Sequence, residues 1–132
     1  MKNQLEMVQE FHEIYKIGFS NTPIADLGII KNRLRFDLMK EENEEYLEAV
    51  ERNDLIEIAD ALGDMLYILC GTILEHGLQN KIETVFEEIH RSNLSKLDAN
   101  GNPIYREDGK VIKGPNYFTP NIAAILNKRI LD

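Results

Sequence analysis

The sequence predicts an all-α fold, an antiparallel bundle of four to five helices with one small β-hairpin near the C-terminus. Apolar residues recur at steps of three and four through most of the chain up to Leu94. Helix start and stop signals stand where those runs break. Glycine, asparagine and proline crowd into one later stretch, LDANGNPIYREDGKVIKGPNYF. The 132 residues suffice for one core, and 1–132 is read as a single domain.

A first helix, about 3–17, carries Leu5, Val8, Phe11, Ile14 and Tyr15 at helical spacing, and Gly18 with SNTP ends it. After a loop to about 28, a second helix runs over 29–52 and breaks at Asn53-Asp54. Asp54 caps a third helix, with Glu57 three residues on as in a capping box, and Gly77 stops it after His76. Asn80 with Glu83 repeats that logic for a fourth helix over 81–94, with Ile82, Val85, Phe86 and Ile89 apolar. PIYRE-DG-KVIKG reads as a hairpin with a two-residue turn at Asp108-Gly109. Thr119 and Pro120 open a short last helix, 121–130, carrying Ile122, Ile125, Leu126 and Ile130.

Net charge is −8, from 23 acidic and 15 basic residues, which argues against a nucleic-acid polymer as partner. A small anionic substrate is compatible if a metal supplies positive charge. The one cysteine, Cys70, lies in the apolar run MLYILCGTIL and is expected to be a buried, inert thiol. The start MKNQLEMVQEF lacks the apolar core of a signal peptide, and the apolar stretch 61–74 is too short to cross a bilayer. A cytoplasmic protein with no membrane partner is expected.

Acids are concentrated where a core should be. In KEENEEYLEA, residues 40–49, Glu41, Glu42 and Glu45 continue the stripe of Leu34 and Leu38, whereas Glu44, Glu48 and Glu51 lie elsewhere. On the third helix Asp64 is the only charge between Ala61 and Leu74, and it shares a face with Asp60 and Glu57. A buried carboxylate is costly unless paired, hydrogen-bonded or metal-bound, and like charges at this spacing repel. Antiparallel packing about the Asn53-Asp54 turn would bring the two acidic stripes together, with Glu45 and Glu57 nearest the turn and Glu42 near Asp60 or Asp64. Carboxylates so gathered suit Mg²⁺ or Mn²⁺. Salt bridges to basic residues of other helices, or plain solvation, would also accommodate them. Glu87-Glu88-Ile89-His90 holds one Glu-x-x-His step, but no second step exists to build a di-iron site, and His12 and His76 lie in the wrong context.

HRSNLSK, residues 90–96, places Arg91, Asn93 and Lys96 at the end of the fourth helix, where cations also serve as caps. Arg106, Lys110, Lys113 and the GPNY turn follow, making a donor-rich cationic stretch in an acidic protein. A phosphate chain bridged by metal on one side and met by lysine on the other would use both halves.

These residues together resemble the all-α nucleoside triphosphate pyrophosphohydrolases, the MazG-like superfamily that includes dimeric dUTPases and phosphoribosyl-ATP pyrophosphohydrolases. The E-E-x-x-E signature matches Glu41-Glu42-Asn43-Glu44-Glu45, and the second acidic region matches Glu57 to Tyr67, with DALGDMLY at its centre. HRSNLSK with GKVIKGPNY is similar to the dUTPase-like branch, and the resemblance spans about residues 8–122. It implies a helical core that dimerises or forms a higher homo-oligomer, and Mg²⁺-dependent hydrolysis between the α- and β-phosphates of a (d)NTP, such as dUTP or an aberrant nucleotide. By position it implies Glu42, Glu45 and Asp64 as metal ligands, with Asp60 or Glu57 substituting where relatives carry a glutamate and this chain has Ala61. Glu41 would orient or deprotonate the attacking water beside Glu42. Asn93, Lys96, Lys113 and Tyr117 would contact phosphate or sugar. Tyr15, Phe19 and the 18–28 loop either line a base pocket or pack in the core. A phosphoribosyl-ATP-type substrate and a non-catalytic helical dimerisation or regulatory module are the alternatives.

Overall fold

Five helices form in the computed structural model, which describes residues 1–127: α1 (Lys2–Ile14), α2 (Ile29–Glu51), α3 (Leu55–Glu75), α4 (Ile82–Leu94) and α5 (Ile122–Asn127). The all-α expectation holds. Two compact units divide the chain, Met1–Gln79 and Asn80–Asp132. No helix among the described residues is long and apolar enough to cross a membrane.

In the first unit α1 and α2 both pack on α3. Leu5 and Val8 of α1, Ala49 of α2, and Ala61, Cys70, Ile73 and Leu74 of α3 form its buried core. Small residues at Ala49 and Ala61 let helices approach closely near the α2–α3 turn. Asn53 turns the chain there in a left-handed conformation, φ 54°, which asparagine tolerates. Asp54 then caps α3 as expected, its Oδ1 accepting from the Glu57 N–H at 3.1 Å. Cys70 is fully buried as expected, and burial pushes its thiol pKa up, which disfavours the reactive thiolate.

Helix α1 ends at Ile14, about three residues short of the expected end at 17, because Lys16 turns left-handed at φ 55°. The following loop runs back over the C-terminal end of α3. Ser20 N–H donates to the Leu74 carbonyl at 3.0 Å and Ile24 N–H to that of His76 at 2.9 Å. Side chains reinforce this: His76 Nδ1–H donates to the Ile24 carbonyl at 2.8 Å, and Gln79 Nε2–H to that of Ser20 at 2.8 Å. Gly77, with φ +67°, ends α3 against this loop as its position predicts.

Within the first unit α3 is not covered all round. Leu55 and Ile56 are 78% and 80% exposed, and Leu62, Leu66, Tyr67 and Leu69 each remain more than 40% exposed. Tyr15 is not core either: it is exposed and lies against Phe11, whose ring meets Tyr67 edge-on at 5.5 Å. Phe19 is half-buried.

In the second unit α4 and α5 pack on each other. Lys81, rather than Asn80, occupies the N-cap of α4, and no side chain caps it. Asn121 takes the capping role expected of Thr119, its Oδ1 accepting from the Ala124 N–H at 3.2 Å. Ile130 lies outside the described residues. The expected hairpin is not formed. Among the described residues there is only an isolated antiparallel bridge between Tyr105 and Val111. Arg106 N–H donates to the Lys110 carbonyl at 2.7 Å around Glu107, Asp108 and Gly109, with Gly109 at φ +88°. This is a three-residue loop with a glycine in the left-handed position, not a two-residue turn. Tyr105 and Val111 are both exposed, and two strands without a covering face are marginal.

Candidate active site

Helices α2 and α3 set their acids against one another within the first unit. Glu42 is half-buried, and its Oε2 is closed off from solvent without a hydrogen-bond partner. Burial, a hydrogen bond to the Glu45 carboxyl, and the charges of Glu45, Asp64 and Glu41 push the Glu42 pKa up to about 7. Asp64 is also raised, by burial first and then by Asp60 and Glu45. The structure thus gathers Glu41, Glu42, Glu45, Asp60 and Asp64 into one repulsive field. Glu57 enters neither set of couplings and stands exposed in the first turn of α3, where its N–H takes the cap from Asp54. No salt bridge to a basic residue neutralises Glu42 or Asp64 among the described residues.

Among the described residues no three carboxylate, imidazole or thiol groups already converge to hold an ion. The donor chemistry nevertheless fits a divalent cation: hard oxygens, mutual repulsion, and one shielded carboxylate oxygen with nothing to bind.

The second unit assembles most of the expected cationic stretch. Lys113 Nζ sits 4.7 Å from the centre of the Tyr117 ring. A hydrogen bond to Ser92, then the charges of Lys113 and Lys96 and a contact with Thr119, hold the Tyr117 phenol below its usual pKa. Lys96, Lys113 and Tyr117 therefore share one neighbourhood, while Asn93 stands exposed in the last turn of α4. Two serines organise this loop. Buried Ser92 donates from Oγ to the Phe118 carbonyl at 2.7 Å, and Ser95 Oγ accepts from the Phe118 N–H at 3.2 Å. Arg91 lies over the Phe118 ring at 4.3 Å and pairs with Glu88 at 2.8 Å.

Residues 8–93, about two thirds of the chain, match the family described as phosphoribosyl-ATP pyrophosphohydrolase. The chain belongs to the phosphoribosyl-ATP pyrophosphohydrolase family. This bears out the resemblance to the all-α nucleoside triphosphate pyrophosphohydrolases. An uncharacterised protein of Acanthamoeba polyphaga mimivirus is 33% identical over 100 residues, covering 76% of this chain and 35% of its own length. The chain thus spans about a third of that relative. A solved structure from Exiguobacterium sp. 255-15, described as a candidate NTP pyrophosphohydrolase, superposes with a TM-score of 0.50 at 24% identity and covers 94% of each chain. That likeness supports the fold.

The phosphoribosyl-ATP pyrophosphohydrolase match contains all six acids and Asn93, but stops before Lys96, Lys113 and Tyr117. The stretch beyond it is held by a close approach of backbone. A Cβ at Gly114 would stand 1.8 Å from the Leu97 carbonyl oxygen and 2.5 Å from its carbon. Gly114→Ala is therefore expected to push the 113–118 loop off Leu97 and separate Lys113 from Lys96. Loss of protection of the Phe118 amide in hydrogen exchange, with α1–α3 amides unchanged, would check this. Two groups that the sequence reading passed over, Arg35 and Glu75, are 6% and 4% exposed in the first unit. Glu75 carried a signal, as the first charge after Asp64 on an apolar helix.

Proposed function

We propose that this chain is a divalent-metal-dependent pyrophosphohydrolase that cleaves between the α- and β-phosphates of a nucleoside or deoxynucleoside triphosphate, releasing a nucleoside monophosphate and pyrophosphate. The observation that carries this is the shielded, unpartnered Oε2 of Glu42 in the field of Glu41, Glu45 and Asp64. Family membership supports the same reaction class. Glu42, Glu45 and Asp64 would hold Mg²⁺ or Mn²⁺, with Asp60 next to them and Glu57 further along the same face. A bound ion would supply charge neutralisation and Lewis acidity at the phosphoryl oxygens. To ligate, Glu42 would have to give up the proton that it shares with Glu45. Glu41, exposed beside it, is assigned to orient the attacking water and take its proton. In the second unit, Lys96, Lys113, Tyr117 and Asn93 offer ammonium, hydroxyl and amide groups suited to phosphate or sugar oxygens.

We assign the open side of α3 to a second copy of this chain. A helix that is apolar on nearly every side is normally buried, and Leu62, Leu66, Tyr67 and Leu69 are half-open within the first unit. Light scattering should return at least twice the 15.2 kDa chain mass; a monomer at micromolar concentration would remove this assignment.

Pyrophosphate release should be measured from a panel of (d)NTPs including dUTP, with Mg²⁺, Mn²⁺ or EDTA. Metal-dependent release, strongest with one nucleotide, is expected. The description of the matching family favours one second reading, a phosphoribosyl-ATP-type substrate. Release from phosphoribosyl-ATP alone would select it, and release from no substrate would leave a non-catalytic helical module.

A further inference from the structure

Arg35 of α2 is buried against α3. Its Nε–H donates to Thr72 Oγ1 at 3.0 Å and lies 3.2 Å from Glu75 Oε2, while an Nη2–H donates to the Ile68 carbonyl at 2.8 Å. Thr72 Oγ1–H donates to that same carbonyl at 2.8 Å. Glu75 is held from its other side by Lys31 Nζ at 2.9 Å, and Lys31 also donates to the Ile17 carbonyl at 2.9 Å. Gly71 makes the space: a Cβ there would stand 2.8 Å from Arg35 Nη2 and 2.7 Å from Nε2 of His12, which is itself buried.

A buried ion pair is a poor way to gain stability, since well-packed apolar residues in its place are often as stable or more so. What this one does add is registration. The planar guanidinium reaches three groups on successive turns of α3, so α2 can neither rotate nor slide against α3 without losing a charge-assisted bond. Its position along the helices matters. Glu42 lies seven residues beyond Arg35 on the same face of α2, about 10 Å along the axis. Asp64 lies four residues before Ile68 and eight before Thr72 on α3. Because the helices run antiparallel, both distances point the same way from Arg35. A slip of one residue would move Glu42 by about 1.5 Å axially and about 100° in rotation.

We propose that Arg35, with Glu75, is a positioning residue that fixes the register of α2 on α3 and so sets Glu42 and Glu45 against Asp64. In its consequence for metal binding this rests on the reading of those acids as a metal site. The test compares the full-length chain with Arg35→Lys and with the double variant Arg35→Met/Glu75→Met. Arg35→Lys keeps the charge but cannot span Thr72 and Ile68 together. Three readouts are taken: melting temperature, methyl NOEs between α2 and α3 in metal-free protein, and Mn²⁺ affinity by calorimetry well below the melting point. The double variant is expected to stay folded with altered interhelical NOEs and about tenfold or more weaker Mn²⁺ binding, and Arg35→Lys to fall between it and wild type. If the double variant does not fold, Arg35→Lys alone decides on the same two readouts. Unchanged NOEs, or unchanged Mn²⁺ affinity in a folded variant, would overturn the proposal. Altered NOEs in a protein whose wild type binds no Mn²⁺ would uphold the register role and remove the metal reading instead.

Discussion

Glu42→Gln is expected to lower metal-dependent pyrophosphate release by roughly 10²-fold or more while making the metal-free protein more stable near neutral pH. The two effects have one origin. Glutamine keeps the shape of the side chain and a hydrogen bond to Glu45, but removes a charge that burial and Glu45, Asp64 and Glu41 all oppose. A lost metal ligand forfeits several kcal/mol of charge stabilisation, and each ~1.4 kcal/mol is tenfold in rate. The sign with pH follows from the raised pKa. The folded carboxyl titrates at about 7 and the unfolded one at about 4.5. Between these values the folded state binds more protons, so the metal-free wild type loses stability as pH rises from about 4.5 to about 7 and gains no further penalty above that. The glutamine variant lacks this slope, and the two proteins should converge below about pH 4.5. Thermal melts from pH 4 to 8 with EDTA, repeated with Mg²⁺, measure it directly. Mg²⁺ should raise the wild-type midpoint most above pH 7 and barely move the variant. A folded variant with full turnover would remove Glu42 from the site.

The pairing of α2 with α3 was legible because it rests on local signals. The Asn53-Asp54 break, the cap at Glu57 and two acidic stripes at helical spacing need no knowledge of the rest of the fold. The acids that meet are those the stripes point to, except that Glu57 stays at the helix start. Local signals also misled. The expected first helix outruns α1, which stops at Ile14 because Lys16 bends the backbone while the apolar pattern continues to Tyr15. Asn80 with Glu83 looks like a cap, yet Lys81 holds that position. Asp108-Gly109 looks like a two-residue turn, yet a third residue enters the loop and only one bridge forms. The pairing of Arg35 with Glu75 was not legible, although Glu75 stands out as the first charge after Asp64. They are forty residues apart, and no periodicity links a cation on one helix with an anion at the end of another. The HRSNLSK motif holds Ser92 and Ser95, but nothing local in it shows that both bond the backbone of Phe118.

Gly77→Ala is expected to be the most damaging single methyl in the first unit. Two costs add. At φ +67° an L-residue is strained by about 1–2 kcal/mol. In addition, the new Cβ would stand 2.0 Å from the Thr22 carbonyl oxygen, 2.5 Å from its carbon and 3.1 Å from the Pro23 nitrogen. All three are backbone atoms, which cannot swing aside as a side chain end would. The segment around Thr22 has to lift, and the bonds of Ser20 and Ile24 to the end of α3, with those of His76 and Gln79 to the loop, go with it. At about 1 kcal/mol net for each bond, the loss is roughly 3–6 kcal/mol, a melting-point drop of about 10 °C or more. Gly28→Ala separates the two costs, because Gly28 has φ +93° but a Cβ there meets nothing within 4 Å. It should show backbone strain alone, about 1–3 kcal/mol. Equal destabilisation by the two substitutions would mean that the loop yields without loss and that the contacts over α3 carry little energy. A larger loss at Gly77, together with faster amide exchange at Ser20 and Ile24, would establish that the loop bearing Phe19 is held in place by a glycine that leaves room for it.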